Sequence, residues 1–483
     1  MEILLLTNRD SDNVGDQVIE ASDIALVNAA MKNLGIAPSD YKISSRAAAI
    51  VTQKYIATKD PALLVTAENA IKKADLIIFG GAPLFNYTYQ TFYERTSIEI
   101  ELAQKYNKPV IFSAIGIEHY DEDNAKCQRL KAALNLDCVK QITTRDGYDK
   151  LEKFRSREDI VIGKVADPAV FSGKIFDNFK MPKKKNSKKK IGIFVLRANG
   201  FKDNKYNFHR DQAAALWKDL TDELENRGYD YELITSGHFG DEAFVHYLIQ
   251  NYGINASKCV FNINLPETLL ARISSYDGVI SCRLHPSIIS FSLGIPSIGL
   301  EWNNKVGRFY ENINYPNRVI QVEDLSAPYL VDKIEKAMDE GVQKDEDYLL
   351  TVYTTLFNGI KNVFRPDDTT SVPYTYDELL DNLPLFAGTS ENEANEKLKR
   401  KFRRTYLKYN ELAIKSSESK VKIAHLESQV KKLKKQVSTQ KKEIAAQKQE
   451  ISTQKKEIAA LKSTFFRRAC RWLKRKLKRL FKK

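Results

Sequence analysis

The stretch Val279-Ile-Ser-Cys-Arg-Leu-His-Pro286 ends a buried-strand pattern on two polar side chains, Arg283 and His285, just before a helix that Pro286 can open. Ligands of open α/β sheets bind at this end of the strands. A guanidinium fixed there suits a carboxylate or phosphate through paired hydrogen bonds, and an imidazole two residues on can move a proton near neutral pH. Together they describe an anion site with an acid. The same spacing also fits a structural pair, with Arg283 on a surface carboxylate and His285 as a cap. His238, in Thr235-Ser-Gly-His-Phe-Gly-Asp241, follows a strand at a similar edge and fits either a cleft lining or an ordinary loop, whereas His119, His209, His246 and His425 lack such a setting. Five scattered cysteines have no paired metal spacing, so no zinc or other metal is expected, and their odd number fits a reducing compartment.

The elements that must position these residues come in two series. Short apolar runs at Ile3 to Leu6, Leu76 to Phe79, Val110 to Ala114, Val139 to Thr143 and Ile160 to Val165 alternate with helical stretches, the first from about Gln17 to Leu34 after the polar loop Asn13-Val-Gly-Asp16. Continuous rather than alternating apolar runs imply strands covered on both faces and hence mostly parallel sheets. Met181-Pro-Lys-Lys-Lys-Asn-Ser-Lys-Lys-Lys190 cannot pack and reads as a linker. Beyond it lie strand patterns near Ile191 to Leu196, Tyr231 to Thr235, Val260 to Ile263, Val279 to Ser281 and Ser297 to Leu300, then helical segments at Pro328 to Met338 and Asp345 to Phe364. The expected organisation is an α/β fold with a Rossmann-like lobe over 1–180, a linker over 181–190, a second lobe with packed helices over 191–385 and a linker over 386–398.

Charge separates the rest. From Lys399 onward there are 29 basic and 6 acidic residues, a balance of +23 against +14 for the whole chain, which leaves −9 on the first 398. Basic charge confined to an appended tail speaks against nucleic acid as the partner of the body. Ile423, Val430, Val437, Ile444, Ile451, Ile458 and Phe465 recur every seventh residue, with Leu426, Leu433 and Leu461 in the second seam position. A coiled coil over 399–464, and through it a homo-oligomer, is expected; Gln440, Gln447 and Gln454 make the seam half polar, so a single solvated helix is the alternative. Residues 465–483 hold ten basic side chains and no acid, with Phe466, Ala469, Leu473, Leu477 and Leu480 on one helical face. That pattern predicts a helix lying on an anionic membrane surface, against the alternatives of a solvated tail or an RNA-binding arm. The start of the chain lacks the features of a signal peptide and no stretch is apolar for long enough to span a bilayer, so the expected place is the cytoplasm, at the inner face of the plasma membrane.

Arg283-Leu-His285 followed by Gly294-Ile-Pro-Ser-Ile-Gly-Leu and Lys305, together with Asn13-Val-Gly-Asp16, Phe79-Gly-Gly-Ala-Pro-Leu, Arg145-Asp146 and Asp167-Pro168, resembles the polysaccharide pyruvyl transferases in order and spacing. The resemblance covers about residues 1–324 and implies two lobes similar to the GT-B glycosyltransferase fold. It implies transfer of pyruvate from phosphoenolpyruvate, a co-substrate with no further cofactor, to two hydroxyls of a saccharide, free or lipid-linked, as a cyclic ketal. On this resemblance Arg283 and His285 bind the donor, Arg283 holding the anion and His285 protonating the methylene carbon, with Arg197 as a second cation and Lys305 neutralising phosphate. Asp16 is a candidate base or acceptor contact, although an aspartate in such a loop is often a turn or helix cap. Asn13, Gly15, Gly80, Gly81 and His238 are acceptor-side candidates, the glycines allowing close approach. Ala82 and Tyr148-Asp149 depart from the family pattern, both in the first lobe. A glycosyltransferase using a nucleotide sugar, or a non-catalytic scaffold clustered by its coiled coil, would be built from the same lobes and tail.

Overall fold

The computed structural model describes residues 1–48, 50–88, 92–183 and 188–481, so residues 184–187 of the expected linker and 482–483 of the tail lie outside the described residues. Two compact units are present, Met1–Lys401 and Phe402–Lys483. In the first, β1 (Glu2–Thr7), β2 (Lys42–Ala47), β3 (Leu76–Gly80), β4 (Val110–Ile115), β5 (Val139–Thr144) and β6 (Val161–Lys164) form a parallel sheet in the order β2-β1-β3-β4-β5-β6. A second parallel sheet has β7 (Lys190–Phe194), β8 (Asp230–Ile234), β9 (Cys259–Val260), β10 (Gly278–Ser281), β11 (Ser297–Leu300) and β12 (Val319–Ile320) in the order β12-β11-β10-β7-β8-β9. Both are covered by helices, as the apolar runs require. Leu76, Ile77, Ile78 and Phe79 of β3 are all buried, each such side chain stabilising by about 1.5–3 kcal/mol before entropy is counted.

The edges differ from expectation. β2 reads Lys-Ile-Ser-Ser-Arg-Ala, half exposed and without an apolar run, and β12 has two residues, so neither leaves a strand pattern in the sequence. The strand expected at Val260 to Ile263 is pared to Cys259–Val260. The helix expected from Gln17 begins at Val14, because Asn13 caps it by accepting from the Gly15 amide; the Asn-Val-Gly-Asp segment is therefore a cap and first turn rather than a free loop.

The lobes share one core. Ile3, Leu5, Val18 and Leu26 of the first pack in the same cluster as Phe194, Ile234, Leu269 and Ile289 of the second. The helix Glu346–Phe364 returns from the second lobe to the first, where Thr351 Oγ1 accepts from the Ala166 amide and Gln141 donates to the Thr355 carbonyl. Packing therefore crosses the lobe division expected at 181–190. Nor is 386–398 a linker throughout: the helix Glu391–Leu480 starts within it, and residues 389–401 tie down both lobes. Glu393 accepts from Arg9 at 2.6 Å and Lys397 donates to Gln17 at 3.1 Å on the first lobe, while Lys401 reaches Glu242 at 3.2 Å and Asn264 at 2.9 Å, and Thr389 reaches Glu267 at 3.0 Å, on the second.

The second unit is helical through Leu480. Its seam residues Ile423, Val430, Val437, Ile444, Ile451 and Ile458 lie exposed on the single chain, as do Phe465, Phe466, Trp472, Leu473 and Leu477 further on. Among the described residues no helix is long and apolar enough to cross a membrane, and no group of three or more His, Cys, Asp or Glu could hold a metal ion.

Candidate functional site

The ends of β1, β5, β8 and β10 converge on a cavity of about 190 Å³ lined by Asn8, Asn13, Asp16, Arg145, His238, Arg283, His285 and Lys305 among others. At the end of β10 the Ser281 hydroxyl accepts from the Arg283 amide at 2.9 Å and donates to its carbonyl at 2.7 Å, fixing the turn into the helix Leu284–Ser292. Pro286 falls in the first turn of that helix, where its missing N–H costs no helical bond.

Arg283 is only partly available as an anion clamp. Its Nε donates to Asp241 Oδ2 at 2.9 Å and its Nη2 to Oδ1 at 2.6 Å, and Asp241 is wholly buried in the first turn of the helix Phe239–Tyr252. This is a fork on a buried carboxylate, not a surface ion pair, and it leaves three of the five guanidinium N–H groups for the cavity. The guanidinium also sits 5.6 Å from the ring centroid of Trp302, whose indole N–H donates to the Cys282 carbonyl.

His285 lies inside the helix rather than capping it, and only 7% of it is exposed. Its Nδ1 is 3.0 Å from Asn13 Nδ2, which can only donate, so this contact assigns the neutral imidazole its proton on Nε2. Nε2 makes no hydrogen bond and lies 3.8 Å from Asp16 Oδ1. Burial holds the imidazole well below its usual titration range, and Arg145, Lys305, His238 and Arg283 add to the effect. A β-carbon on Gly15 would stand 2.3 Å from the His285 ring, so this position is glycine because the imidazole packs on the helix turn.

Asp16 accepts from Asn8 Nδ2 at 2.7 Å. Burial raises its carboxyl to about 6, against the lowering influence of Ser11, Arg145, Asn8 and Lys305. Arg145, 8% exposed, pairs with Asp167 at 2.5 Å, and its Nε has no partner. Lys305, whose amide is capped by Asn303, pairs with Glu118 of the first lobe at 3.0 Å. The cations around the cavity are thus each oriented by a carboxylate.

Several expected roles change. Arg197 pairs with Asp203 at 2.7 Å and lines a neighbouring cavity, not the one holding His285, while its amide donates to the same Asp241 that holds Arg283. Asn13 and Gly15 seat the imidazole instead of facing a separate acceptor groove. Gly80 and Gly81 are packed inside the first lobe: a β-carbon would meet Asp23 Oδ2 at 2.3 Å and Ile19 Cγ2 at 2.1 Å, respectively. His238 lines the same cavity as His285, from the second lobe. Asn8, Ser11 and Arg145 also line the site although the sequence reading assigned them no role; Asn8 and Arg145 directly follow the ends of β1 and β5, the signal that also marks Arg283, whereas Ser11 lies four residues past β1.

The neighbouring cavity, about 620 Å³, is lined by Glu118, Arg197, Asn204, Tyr206 and Asn304 among others, and shares Trp302, Asn303 and Lys305 with the smaller one.

Residues 13–304 match the polysaccharide pyruvyl transferase family. No curated protein matches the chain. Among solved structures, the UDP-GlcNAc 2-epimerase of Methanocaldococcus jannaschii is 12% identical, with a TM-score of 0.45 over 74% of this chain and 98% of that one. A glycosyltransferase from Rickettsia africae is 14% identical, with a TM-score of 0.43 over 79% and 96%. The heptosyltransferase WaaC of E. coli with ADP is 12% identical, with a TM-score of 0.38 over 70% and 100%.

Proposed function

The chain belongs to the polysaccharide pyruvyl transferase family, and from that membership we propose that it moves pyruvate from phosphoenolpyruvate onto two hydroxyls of a sugar in a cell-surface polysaccharide or its lipid-linked precursor. On this reading the two lobes work as a GT-B-like pair closing on donor and acceptor. The observation that carries it is the meeting of Arg145, Arg283 and Lys305 around an imidazole whose Nε2 has no hydrogen-bond partner.

The donor carries a carboxylate and a phosphate, and the oriented cations supply N–H donors to both. Its negative charge counters the cations that add to burial in keeping the imidazole neutral, and His285 takes up a proton on Nδ1 as the donor binds, the Asn13 amide turning its oxygen toward the ring. The imidazolium protonates the methylene carbon, and Asp16, ionised at neutral pH, steadies the charge. One sugar hydroxyl bonds to the resulting oxocarbenium carbon, the C–O bond to phosphate breaks, and the second hydroxyl closes the ketal. Of the two hydroxyl protons lost, one balances the proton now in the methyl group and the other leaves with phosphate.

The exposed heptad seam supports self-association through a coiled coil, and the basic amphipathic stretch from Phe465 supports peripheral attachment to the inner, anionic face of a membrane, with about 1 kcal/mol from each Lys or Arg near the surface. The test of the reaction is incubation with phosphoenolpyruvate and a panel of synthetic and lipid-linked glycans. A pyruvyl ketal on one glycan by mass spectrometry, with matching phosphate release, is expected; unchanged release in His285→Ala or Arg283→Ala overturns the assignment.

A further inference from the structure

Resting on the pyruvyl transfer reading, we infer that the cavity of about 620 Å³ beside the donor site is the acceptor-saccharide subsite, with Trp302 as its stacking wall and Tyr206 and Asn204 as its outer contacts. This replaces the acceptor face sought at Asn13, Gly15, Gly80 and Gly81, which are all engaged within the protein.

Size and composition separate the two spaces. The smaller cavity, about 190 Å³, falls below the range of ~300–1,000 Å³ usual for ligand pockets and suits a compact anion, whereas 620 Å³ lies within that range. Trp302 and asparagine side chains line both, and the larger cavity adds the aromatic ring of Tyr206. A pyranose presents an apolar C–H face and a ring of hydroxyls, so its pocket needs an aromatic plane together with amide and carboxylate side chains. The larger cavity has both, in Trp302 and Tyr206 and in Asn204, Asn304 and Glu118.

The position of Trp302 connects binding to chemistry. Its N–H is held by the Cys282 carbonyl and its ring by the Arg283 guanidinium, so the indole plane is fixed from the end of β10. Because Trp302 and Lys305 border both cavities, a sugar on this ring has its hydroxyls at the boundary with the donor. Glu118, in the larger cavity, and Lys305, which borders both, are paired at 3.0 Å and present an acceptor and a donor to those hydroxyls.

The chain has three tryptophans, Trp217 buried in the second lobe and Trp472 in the second unit, which makes Trp302 a built-in probe. The full-length protein would be titrated with methyl glucoside, methyl galactoside and methyl mannoside while tryptophan emission is followed, and its thermal shift with phosphoenolpyruvate measured in parallel. At least one glycoside should change the emission saturably, Trp302→Phe should abolish the change, and Tyr206→Ala should weaken binding about tenfold, equivalent to ~1.4 kcal/mol, while retaining protection by phosphoenolpyruvate. Protection by phosphoenolpyruvate with no response to any glycoside, or an unchanged affinity in Tyr206→Ala, overturns the subsite alone. Absence of protection in the wild type overturns the pyruvyl transfer reading beneath it.

Discussion

Replacing Gly15 by alanine should disable the site with little loss of fold. The new methyl carbon would lie 2.3 Å from His285 Cβ and Cγ and 2.4 Å from Nδ1. Carbon atoms in ordinary contact sit about 3.5–4.0 Å apart, so the imidazole or the helix turn must move by roughly 1.2 Å or more. Either movement breaks the 3.0 Å contact between Asn13 and Nδ1 and turns Nε2 away from Asp16. Overpacking of this kind costs about 1–3 kcal/mol, offset by up to about 1 kcal/mol because alanine favours the helix, so the net loss is about 0–3 kcal/mol. A displacement of about 1 Å at reacting groups costs on the order of 100-fold in rate. Phosphate release from phosphoenolpyruvate with a competent glycan should therefore fall about 100-fold while the melting temperature moves by a few degrees. Gly163→Ala, whose methyl would meet Thr143 at an ordinary 3.6 Å, is the control and should match wild type. Activity of Gly15→Ala within twofold of wild type would refute the claim that this imidazole, held in this orientation, does the chemistry.

Asp16 is held at about 6 against 3.8 for an ordinary aspartate, so the native state binds more protons than the unfolded state between those values and stability falls as pH rises through that window. Asp16→Asn should flatten this slope in urea titrations and remove an acid limb near pH 6 from kcat/KM. Arg283→Ala leaves the wholly buried Asp241 carboxylate without its fork and should cost about 3–5 kcal/mol in denaturant unfolding; Arg283→Met with Asp241→Leu should recover most of that stability and none of the turnover. Ile444→Lys with Ile451→Lys places charge in the exposed seam and should lower the molar mass seen by light scattering; an unchanged mass would rule out association through that seam. Removal of residues 465–483 should abolish flotation with anionic vesicles at low salt, and retained flotation would exclude the tail as the anchor.

The central strands and the Arg283–His285 pair were legible because both obey rules that act over a few residues: continuous apolar runs for doubly covered strands, and polar side chains where such a run stops. The same rule, applied to every strand, reaches Asn8 after β1, Arg145 after β5, His238 after β8 and Trp302 after β11, so most of the cavity wall was present in the sequence before any role was given to it. What local pattern could not supply was pairing. Asp241 is an unremarkable first-turn acid until the fold sets it under Arg283, and Arg197 ends its strand as expected yet points to Asp203. The glycines illustrate the same limit, since Gly80 and Gly15 are both small for the sake of a neighbour, Asp23 in one case and His285 in the other. β2 was invisible because an edge strand half exposed to water has no apolar run to betray it.

The ties made by residues 389–401 set where this enzyme can be cut. A protease or a designed truncation that severs the chain in the polar segment just after Gly388 would strip Arg9 of its Glu393 partner and release Glu242 and Asn264 together. Arg9 adjoins Asn8, which holds Asp16, so damage almost four hundred residues along the chain arrives next to the carboxylate of the site. The shortest fragment that keeps those bonds ends no earlier than Lys401, and a fusion partner belongs beyond that residue.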